Sequence, residues 1–472
     1  MKGDFALKVC LLNDSFPPVL DGVANVVTNY AENLVRCHGA EVVVGTPRYP
    51  DFDYSVYPYK VVPYQSFDTC ALLSGYRTGN PFSAKYVAEL ADFSPDVIHT
   101  HCPAASTLLA RLLREQTGAP VVFTYHTKYD VDIERVLKVK LAAKEAIRTM
   151  VSAVEACDEV WVVSRGAGEN LKALGYQGDV RVMLNGVDFA KGRVDDAAVA
   201  SATAGYDLPA GVPLYLFVGR LMTYKGLPLI LDALKLLRER GRDFRMVFIG
   251  KGPDRELLEQ KSAELGLTDR CFFTGPIYDR ETLRAWNTRA DLFLFPSTFD
   301  TNGLVVREAA ACGLASVLIA GSCAAEDITD GVNGFTIRET PEAMAALLER
   351  IGDDLPRLHA AGQRAMEEIY LSWQDAVAAA YERYGAILEA SRSGRLPEKK
   401  KLAADLLISL ASKSLEEQER RRQAWTALQE SFRETAVGMM ENIQGTTESA
   451  GTIRHKLREQ LRQDIDELRK RE

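Results

Sequence analysis

No stretch of this sequence reaches the ~18 consecutive apolar residues needed to span a bilayer. Any membrane contact is therefore expected to be peripheral. The start, Met1-Lys2-Gly3-Asp4, leads directly into a strand pattern without an apolar leader. Cysteines stand at 10, 37, 70, 102, 157, 271, 312 and 323, with no CxxC pair and no metal-ligand spacing. Buried free thiols in a reducing cytosol are the expectation. Positive charge is also lacking. The net charge of -8 excludes a general nucleic-acid binder. Neither a Walker loop nor a GxGxxG fingerprint is present. Ile249-Gly250-Lys251-Gly252-Pro253 has no Ser or Thr after a Gly-Lys at the required spacing, and it reads as a tight turn that could also wall a pocket.

What is there is a chain of 472 residues, 47% hydrophobic and 26% charged, enough for two or three soluble domains with sizeable cores. Apolar strand-like runs alternate with helical patterns. Strands are expected at 7–12, 41–45, 96–99, 121–125, 159–163 and 180–184, with amphipathic helices such as 24–36 and 106–115 between them. After a polar, small-residue linker around 188–213 the pattern restarts at 214–218, 245–250, 271–274, 291–295 and 315–319. This alternation predicts an α/β fold of two doubly wound, parallel-sheet, Rossmann-like domains. Such sheets bind ligands at the C-terminal ends of their strands, so the active site is expected in the cleft between the domains. The expected division is 1–190, 191–370, a helix at 371–395 that crosses back to the first domain, and a helical extension at 396–472. Residues 391–472 carry 17 basic and 14 acidic side chains, against a net of -11 for the remainder.

The most telling stretch is Phe295-Pro296-Ser297-Thr298-Phe299-Asp300-Thr301-Asn302-Gly303-Leu304-Val305-Val306-Arg307-Glu308-Ala309. A strand runs into a turn, a Gly opens a helix, and two acids stand on either side of that Gly. Free N–H groups at a helix start suit a phosphate or diphosphate. Glu308, about one turn further on, could reach a ribose beside it. A solvated helix start with an Asp cap is the alternative. Arg220, after the strand Phe217-Val218-Gly219, and Lys225 read as a clamp for the diphosphate of a leaving nucleotide, or else as two surface cations. Phe273-Thr274-Gly275-Pro276-Ile277 could offer main-chain groups to a nucleobase.

In the first half, Asn13-Asp14-Ser15-Phe16-Pro17-Pro18-Val19-Leu20-Asp21-Gly22-Val23 joins a strand to a helix. Gly22 would allow close approach of a sugar or phosphate. His126, at the end of Phe123-Thr124-Tyr125-His126, is expected to face the cleft. His99 and His101 are expected on opposite faces of their strand, so no metal triad with His126 is expected. Asp130-Val131-Asp132 and Asp51-Phe52-Asp53 have manganese-pair spacing but read as surface loops. No metal or other cofactor is called for.

These residues resemble a known family. Phe217–Arg220 with Lys225-Gly226, Gly275, and Asp300 and Glu308 with seven residues between them, Gly303-Leu304-Val305 included, look like the retaining glycosyltransferase family 4, of the two-Rossmann-domain GT-B fold. The likeness covers roughly residues 5–390. It implies that Arg220 and Lys225 bind the donor diphosphate and that Glu308 holds the ribose hydroxyls. It also implies that the turn Asn302, Gly303, Leu304 and Val305 meets phosphate, and that Asp300 contacts the donor sugar. The family pattern usually has Glu where Asp300 stands. Asp14-Ser15-Phe16-Pro17-Pro18 with Asp21-Gly22-Val23, His99-Thr100-His101 and Thr124-Tyr125-His126-Thr127 look like bacterial diacylglycerol glucosyltransferases and related lipid enzymes. There the residue matching His126 lies beside the donor sugar and the acceptor.

The expected catalytic set is thus His126, Asp300, Arg220 and Lys225. The expected donor-binding set is Gly22, Arg220, Lys225, Ile277, Asn302, Gly303, Leu304, Val305 and Glu308. The expected activity is transfer of a hexose, glucose first, from a UDP-sugar to a hydroxyl of a membrane lipid such as diacylglycerol, at the cytoplasmic face. A soluble or polyprenyl-linked sugar acceptor, a nucleotide-sugar epimerase of the same fold, and a non-catalytic scaffold acting through the tail are the alternatives. Leu402, Leu406 and Leu410, with Ala403, Leu407 and Ile408 widening the apolar face, after Lys399-Lys400-Lys401 suit an interfacial helix on anionic membrane. The mixed charges that follow suit self-association.

Overall fold

A computed structural model describes residues 6–19, 21–69, 76–130, 133, 137, 139–396 and 403–443; of positions 403, 404, 428 and 431–443 it describes the backbone only. Its strands are β1 Lys8–Leu12, β2 Glu41–Pro47, β3 Lys60–Tyr64, β4 Ser66–Asp68, β5 Arg77–Gly79, β6 Val97–Thr100, β7 Val121–Tyr125, β8 Glu159–Val162 and β9 Arg181–Val182, then β10 Leu214–Val218, β11 Arg245–Ile249, β12 Cys271–Gly275, β13 Leu292–Phe295, β14 Ser316–Ile319 and β15 Phe335–Ile337. A seven-stranded sheet runs β3-β2-β1-β6-β7-β8-β9, and a six-stranded sheet runs β12-β11-β10-β13-β14-β15. All pairings in both are parallel. Parallel sheets are covered by helices on both faces, which is why the central strands LYLFV and LFLF are apolar at every position.

Each sheet reverses its strand order once. The first turns between β1 and β6, the second between β10 and β13. The loops after those strands diverge there and leave a crevice at their C-terminal ends. The segments Asn13–Gly22, His101, Arg220–Lys225 and Pro296–Gly303 all leave from these four strands. Positions β1, β2, β6, β7, β8 and β9, and β10 to β14, match the expected strands to within a few residues. The edge strands β3 and β15 and the hairpin β4–β5 were not expected from the sequence.

The chain passes between the domains twice. Val187 N–H donates to Leu371 O at 2.9 Å, and Val187 and Ser372 form a parallel bridge. Gly186 is required here, because a Cβ would lie 2.4 Å from Trp373 N. The second passage feeds the helix Trp373–Arg392, whose Ser372 cap accepts from Asp375 N–H at 3.1 Å. That helix seats Trp373, Val377, Tyr384 and Ile387 in the first domain's core with Tyr30, Leu34 and Trp161. Each large side chain so buried contributes about 1.5–3 kcal/mol.

The long helix Ala403–Ile443 lies against the helices Ala84–Asp92 and Ala105–Thr117 of the first domain. Ile408, Ser412, Leu415 and Glu419 recur at helical spacing and are buried, and Ile408 and Leu415 join the first domain's core. Leu406, Leu407 and Leu410 point away, 66%, 67% and 56% exposed. Of the apolar face singled out in the sequence, Leu406, Leu407 and Leu410 therefore lie on the outer side, while Ile408 belongs to the stripe that does the packing. Leu402, Lys399-Lys400-Lys401 and the charges from Arg454 to Arg471 lie outside the described residues, as do Leu20, Cys70 and the pair partner Asp132. Among the described residues no helix is long and apolar enough to cross a membrane.

Candidate active site

The second domain's half is built on the adjacent strands β10 and β13. After β10, the turn Thr223–Lys225 ends at Gly226, which caps the helix Leu227–Glu239 with φ 79°. A Cβ on Gly226 would meet Pro296 O at 2.5 Å, so only Gly lets the two loops close up. That approach carries Lys225 to the β13 loop. Its Nζ donates to Asp300 Oδ1 at 2.5 Å, and Ser297 Oγ donates to Asp300 Oδ2 at 2.5 Å. Lys225 is buried, and its ammonium lies 5.8 Å from the Phe295 ring centre. The cation expected in the diphosphate clamp is thus paired with the acid expected at the donor sugar. Arg220 is exposed and donates to Tyr224 OH at 3.1 Å.

Gly303, with φ 60°, starts the helix Leu304–Ala311, whose first N–H groups have no intrahelical acceptor. Beside it, Asn302 Nδ2 is buried without a hydrogen-bond partner among the described residues. Such an orphan donor is costly unless something outside the protein completes it. Glu308, one turn on, accepts from Arg280 Nη2 at 2.6 Å. Burial pushes its carboxyl up from the ordinary value, and the Arg280 charge opposes this. Arg280 also approaches Asp188 at 3.6 Å and lies over the Phe189 ring at 4.4 Å. Ile277 is half-buried on the domain core beside exposed Tyr278, whose hydroxyl meets Lys251 Nζ at 3.2 Å. The turn at Lys251 backs the Arg220 loop, with Leu221 N–H donating to Lys251 O at 3.0 Å.

In the first domain, Asp21 caps the helix Gly22–His38, accepting from Ala24 N–H at 2.7 Å, and Tyr76 OH donates to its other oxygen at 2.9 Å. A Cβ on Gly22 would meet no atom of the described residues within 4 Å, so the space in front of it is open among them. Burial pushes the Tyr76 hydroxyl up, and the Arg220 charge of the second domain opposes this.

The histidines correct one expectation. Strand positions two apart share a face. The His99 and His101 rings accordingly lie 3.9 Å apart, not on opposite sides. His101 Nδ1 is 2.9 Å from His126 Nε2, and their rings stack. His99 is held by Tyr384 OH at 2.6 Å and Thr124 Oγ1 at 2.7 Å. His126 is 8% exposed, and burial lowers its pKa to about 3. Burial also holds His99 and His101 well below the usual imidazole value. All three are neutral at ordinary pH. The other acidic pair, Asp51 and Asp53, lies in an exposed loop where Asp53 caps a short turn by accepting from Ser55 N–H at 2.9 Å.

The halves meet directly. Thr301 Oγ1 donates to His126 O at 2.5 Å, and Lys128 Nζ donates to Thr298 O at 3.1 Å. Glu326 accepts from Arg165 N–H at 2.7 Å and Gly166 N–H at 2.6 Å, at the start of the helix Arg165–Ala173. So His126 of one domain and the Asp300–Gly303 turn of the other form one wall. Sequence reasoning missed Arg280, Tyr76, Thr301 and Glu326, since each acts through a partner distant in sequence. Only the short-range His101 could have been found, from the two-residue strand period.

Two family models match the chain. Glycosyltransferase Family 4 matches residues 20–191 and Glycosyl transferases group 1 matches residues 203–368. The D-inositol 3-phosphate glycosyltransferase of Xylanimonas cellulosilytica is 31% identical over 309 residues, which are 61% of this chain and 71% of that protein. The GDP-mannose-dependent alpha-(1-6)-phosphatidylinositol dimannoside mannosyltransferase of Mycobacterium tuberculosis is 29% identical over 337 residues, 71% of this chain and 83% of that protein. Among solved structures, Anabaena Alr3699/HepE in complex with UDP superposes with a TM-score of 0.64 at 17% identity, over 80% of this chain and all of that one. Sucrose-phosphate synthase from Thermosynechococcus elongatus gives a TM-score of 0.64 at 21% identity, over 81% of this chain and all of that one. The fold is therefore GT-B.

Proposed function

The chain belongs to glycosyltransferase family 4, and we propose that it moves glucose from UDP-glucose, with retention, to a hydroxyl of a membrane glycerolipid such as diacylglycerol. The observation that carries this reading is the convergence of Arg220, Lys225 and the start of the helix Leu304–Ala311 at the strand-order reversal of the second sheet. Two fixed cations and a helix start suit a diphosphate that gains charge as it leaves. In this reading the diphosphate draws the Lys225 ammonium into a shared contact, while Asp300 keeps Ser297 and turns an oxygen to the sugar. Glu308 accepts from the ribose hydroxyls with its ionised form supported by Arg280. Asn302 Nδ2 gains the acceptor it lacks.

The bond from the anomeric carbon to the diphosphate oxygen breaks through an oxocarbenium-like state. The acceptor hydroxyl attacks from the same face and gives its proton to the departing diphosphate oxygen. Arg220 and Lys225 stabilise that oxygen's charge, and His126 lines the sugar's other side. The reading needs no metal step. The acceptor enters from the first domain's side, and the enzyme works as a peripheral protein at the cytoplasmic face.

A second donor reading rests on the relatives, whose printed names include GDP-mannose and phosphatidylinositol mannosides. A screen of UDP-glucose and GDP-mannose against diacylglycerol, phosphatidylinositol, polyprenyl-linked and soluble sugar acceptors, read by mass spectrometry, separates them. UDP release only with a lipid acceptor supports the proposal. Release of nucleotide with GDP-mannose alone overturns the donor. Isomerised sugar nucleotide without acceptor overturns transfer altogether in favour of epimerisation.

A further inference from the structure

Resting on the reading of the cleft as a sugar-donor site, we infer that His101 is a positioning residue that fixes His126 as its Nδ1–H tautomer, so that His126 presents a hydrogen-bond donor to the sugar. His126 Nε2 is 2.9 Å from His101 Nδ1. Its Nδ1 makes no hydrogen bond to the described residues and is not among their buried unpartnered atoms, which leaves it the ring nitrogen free to meet a substrate. One of the two facing nitrogens must carry the proton between them, since a neutral imidazole has one N–H and one lone pair.

The choice is decided at the far side of His101. Its Nε2 is buried with no hydrogen-bond partner among the described residues, in a ring that lies tilted against His99 at 3.9 Å and meets the Tyr30 ring edge-on at 5.5 Å. A proton on that Nε2 would be an orphaned buried N–H. A bare lone pair there is the milder fault, because orphaned buried donors are rarer than under-used acceptors. The proton therefore sits on His101 Nδ1 and points at His126 Nε2. That leaves His126 with its own proton on Nδ1. His99 cannot reverse the arrangement, because both its nitrogens are engaged by Tyr384 and Thr124. The same logic excludes His126 as a proton acceptor toward the substrate. Its cleft-facing nitrogen has no lone pair to offer, and burial keeps the ring from gaining a second proton.

The test is long-range proton–nitrogen NMR on protein with nitrogen-15 histidine, without substrate, together with steady-state kinetics. In the unsubstituted protein the His126 signals should show the proton on Nδ1. His101→Phe keeps an aromatic ring in place but loses the donor; the preference of free imidazole for Nε2–H is then opposed only by the cost of an unpartnered N–H, so the His126 signals should show the Nε2–H form appearing beside Nδ1–H. With His101→Phe, kcat/KM for the sugar donor should fall about ten-fold, the scale of one hydrogen bond, while the affinity for UDP alone stays unchanged. His101→Asn, which keeps an N–H near the Nδ1 position, should restore both the tautomer and most of the rate. A proton on Nε2 of His126 in the unsubstituted protein overturns the inference, and so does an unchanged tautomer in His101→Phe. If His101→Phe does not fold, the spectra of the unsubstituted protein and of His101→Asn decide it. Because the spectra need no turnover, failure to find any transfer reaction would count against the proposed function and leave the tautomer result standing.

Discussion

At the scale of single residues, the site is a set of pairs whose members have second duties. Lys225 and Asp300 hold each other at 2.5 Å, and Arg280 and Glu308 at 2.6 Å. Replacing Lys225 or Arg220 by Ala should lower turnover by about 100-fold or more, the scale for one preorganised charge-stabilising group. Lys225→Ala also leaves Asp300 with only Ser297, so it should raise the donor KM, whereas Arg220→Ala should act mainly on kcat. Near-normal turnover in both, with the fold intact by circular dichroism, would remove the clamp. Since these cations are fixed, turnover should survive a chelator. Glu308→Gln should weaken nucleotide binding in calorimetry and Asp300→Ala should spare it. Equal UDP and GDP affinities for Glu308→Gln and the unsubstituted protein would refute the ribose role. The buried histidines give a pH prediction. His126 titrates near 3 folded and near the ordinary 6.5 unfolded. Between those values the unfolded chain binds the extra proton, so stability is fully present above about pH 6.5 and falls as the pH drops toward 3. His99 and His101 are shifted the same way. Urea midpoints at pH 7.5 and pH 5 should show the loss, and His101→Phe should reduce it. A flat profile would mean these rings are not buried neutral.

At the scale of elements, legibility follows burial. Strands β10 and β13 were readable because a parallel strand covered on both faces is apolar at every position. Strand β3, Lys60–Tyr64, sits at the edge of the first sheet with Pro63 inside it, and β15 is three residues long at the edge of the second, so neither leaves a pattern. The helix Gly22–His38 was expected at 24–36, and its true start is set by the Asp21 cap. The loops that form the site were legible as residue types at strand ends. Their pairings were not, because Arg280 and Glu308 stand 28 positions apart and nothing local joins them. One local pairing, His99 beside His101, was misread through the strand period. Element geometry also separates two glycines that look alike in sequence. Gly226→Ala forces a Cβ at φ 79° to within 2.5 Å of Pro296 O and should cost about 1–3 kcal/mol, seen as a lower Tm. Gly22→Ala meets no atom of the described residues and should leave Tm within a degree or two. It should nonetheless lower transfer by about 100-fold, the scale of an ångström-sized displacement of substrate. Full activity in Gly22→Ala would mean that the open space in front of it holds no donor.

At the scale of the whole molecule, the tail is part of the first domain and also its outermost surface. Arg111, with its side chain 4% exposed, donates to Asp405 at 2.6 Å, and Ile408 and Leu415 complete the core beneath. A chain ending at residue 396 should keep both sheets and the helix Trp373–Arg392, yet it strands Arg111 and uncovers apolar surface. Its first domain should therefore melt several degrees lower while nucleotide binding by the second persists. That loss makes truncation a poor probe of what the outer face does. Replacing Leu406, Leu407 and Leu410 together by Ser is the cleaner change, since none of the three belongs to the packed face and Tm should hold. The exposed leucines follow the lysines at 399–401, which is the combination an interfacial helix needs. The expected outcome is loss of sedimentation with vesicles containing anionic phospholipid, with UDP affinity and solution mass unchanged. Transfer to a lipid acceptor presented in those vesicles should fall with it, and transfer to a detergent-dispersed acceptor should not. Unchanged vesicle binding with a halved solution mass would assign the same stripe to a second copy of the chain instead.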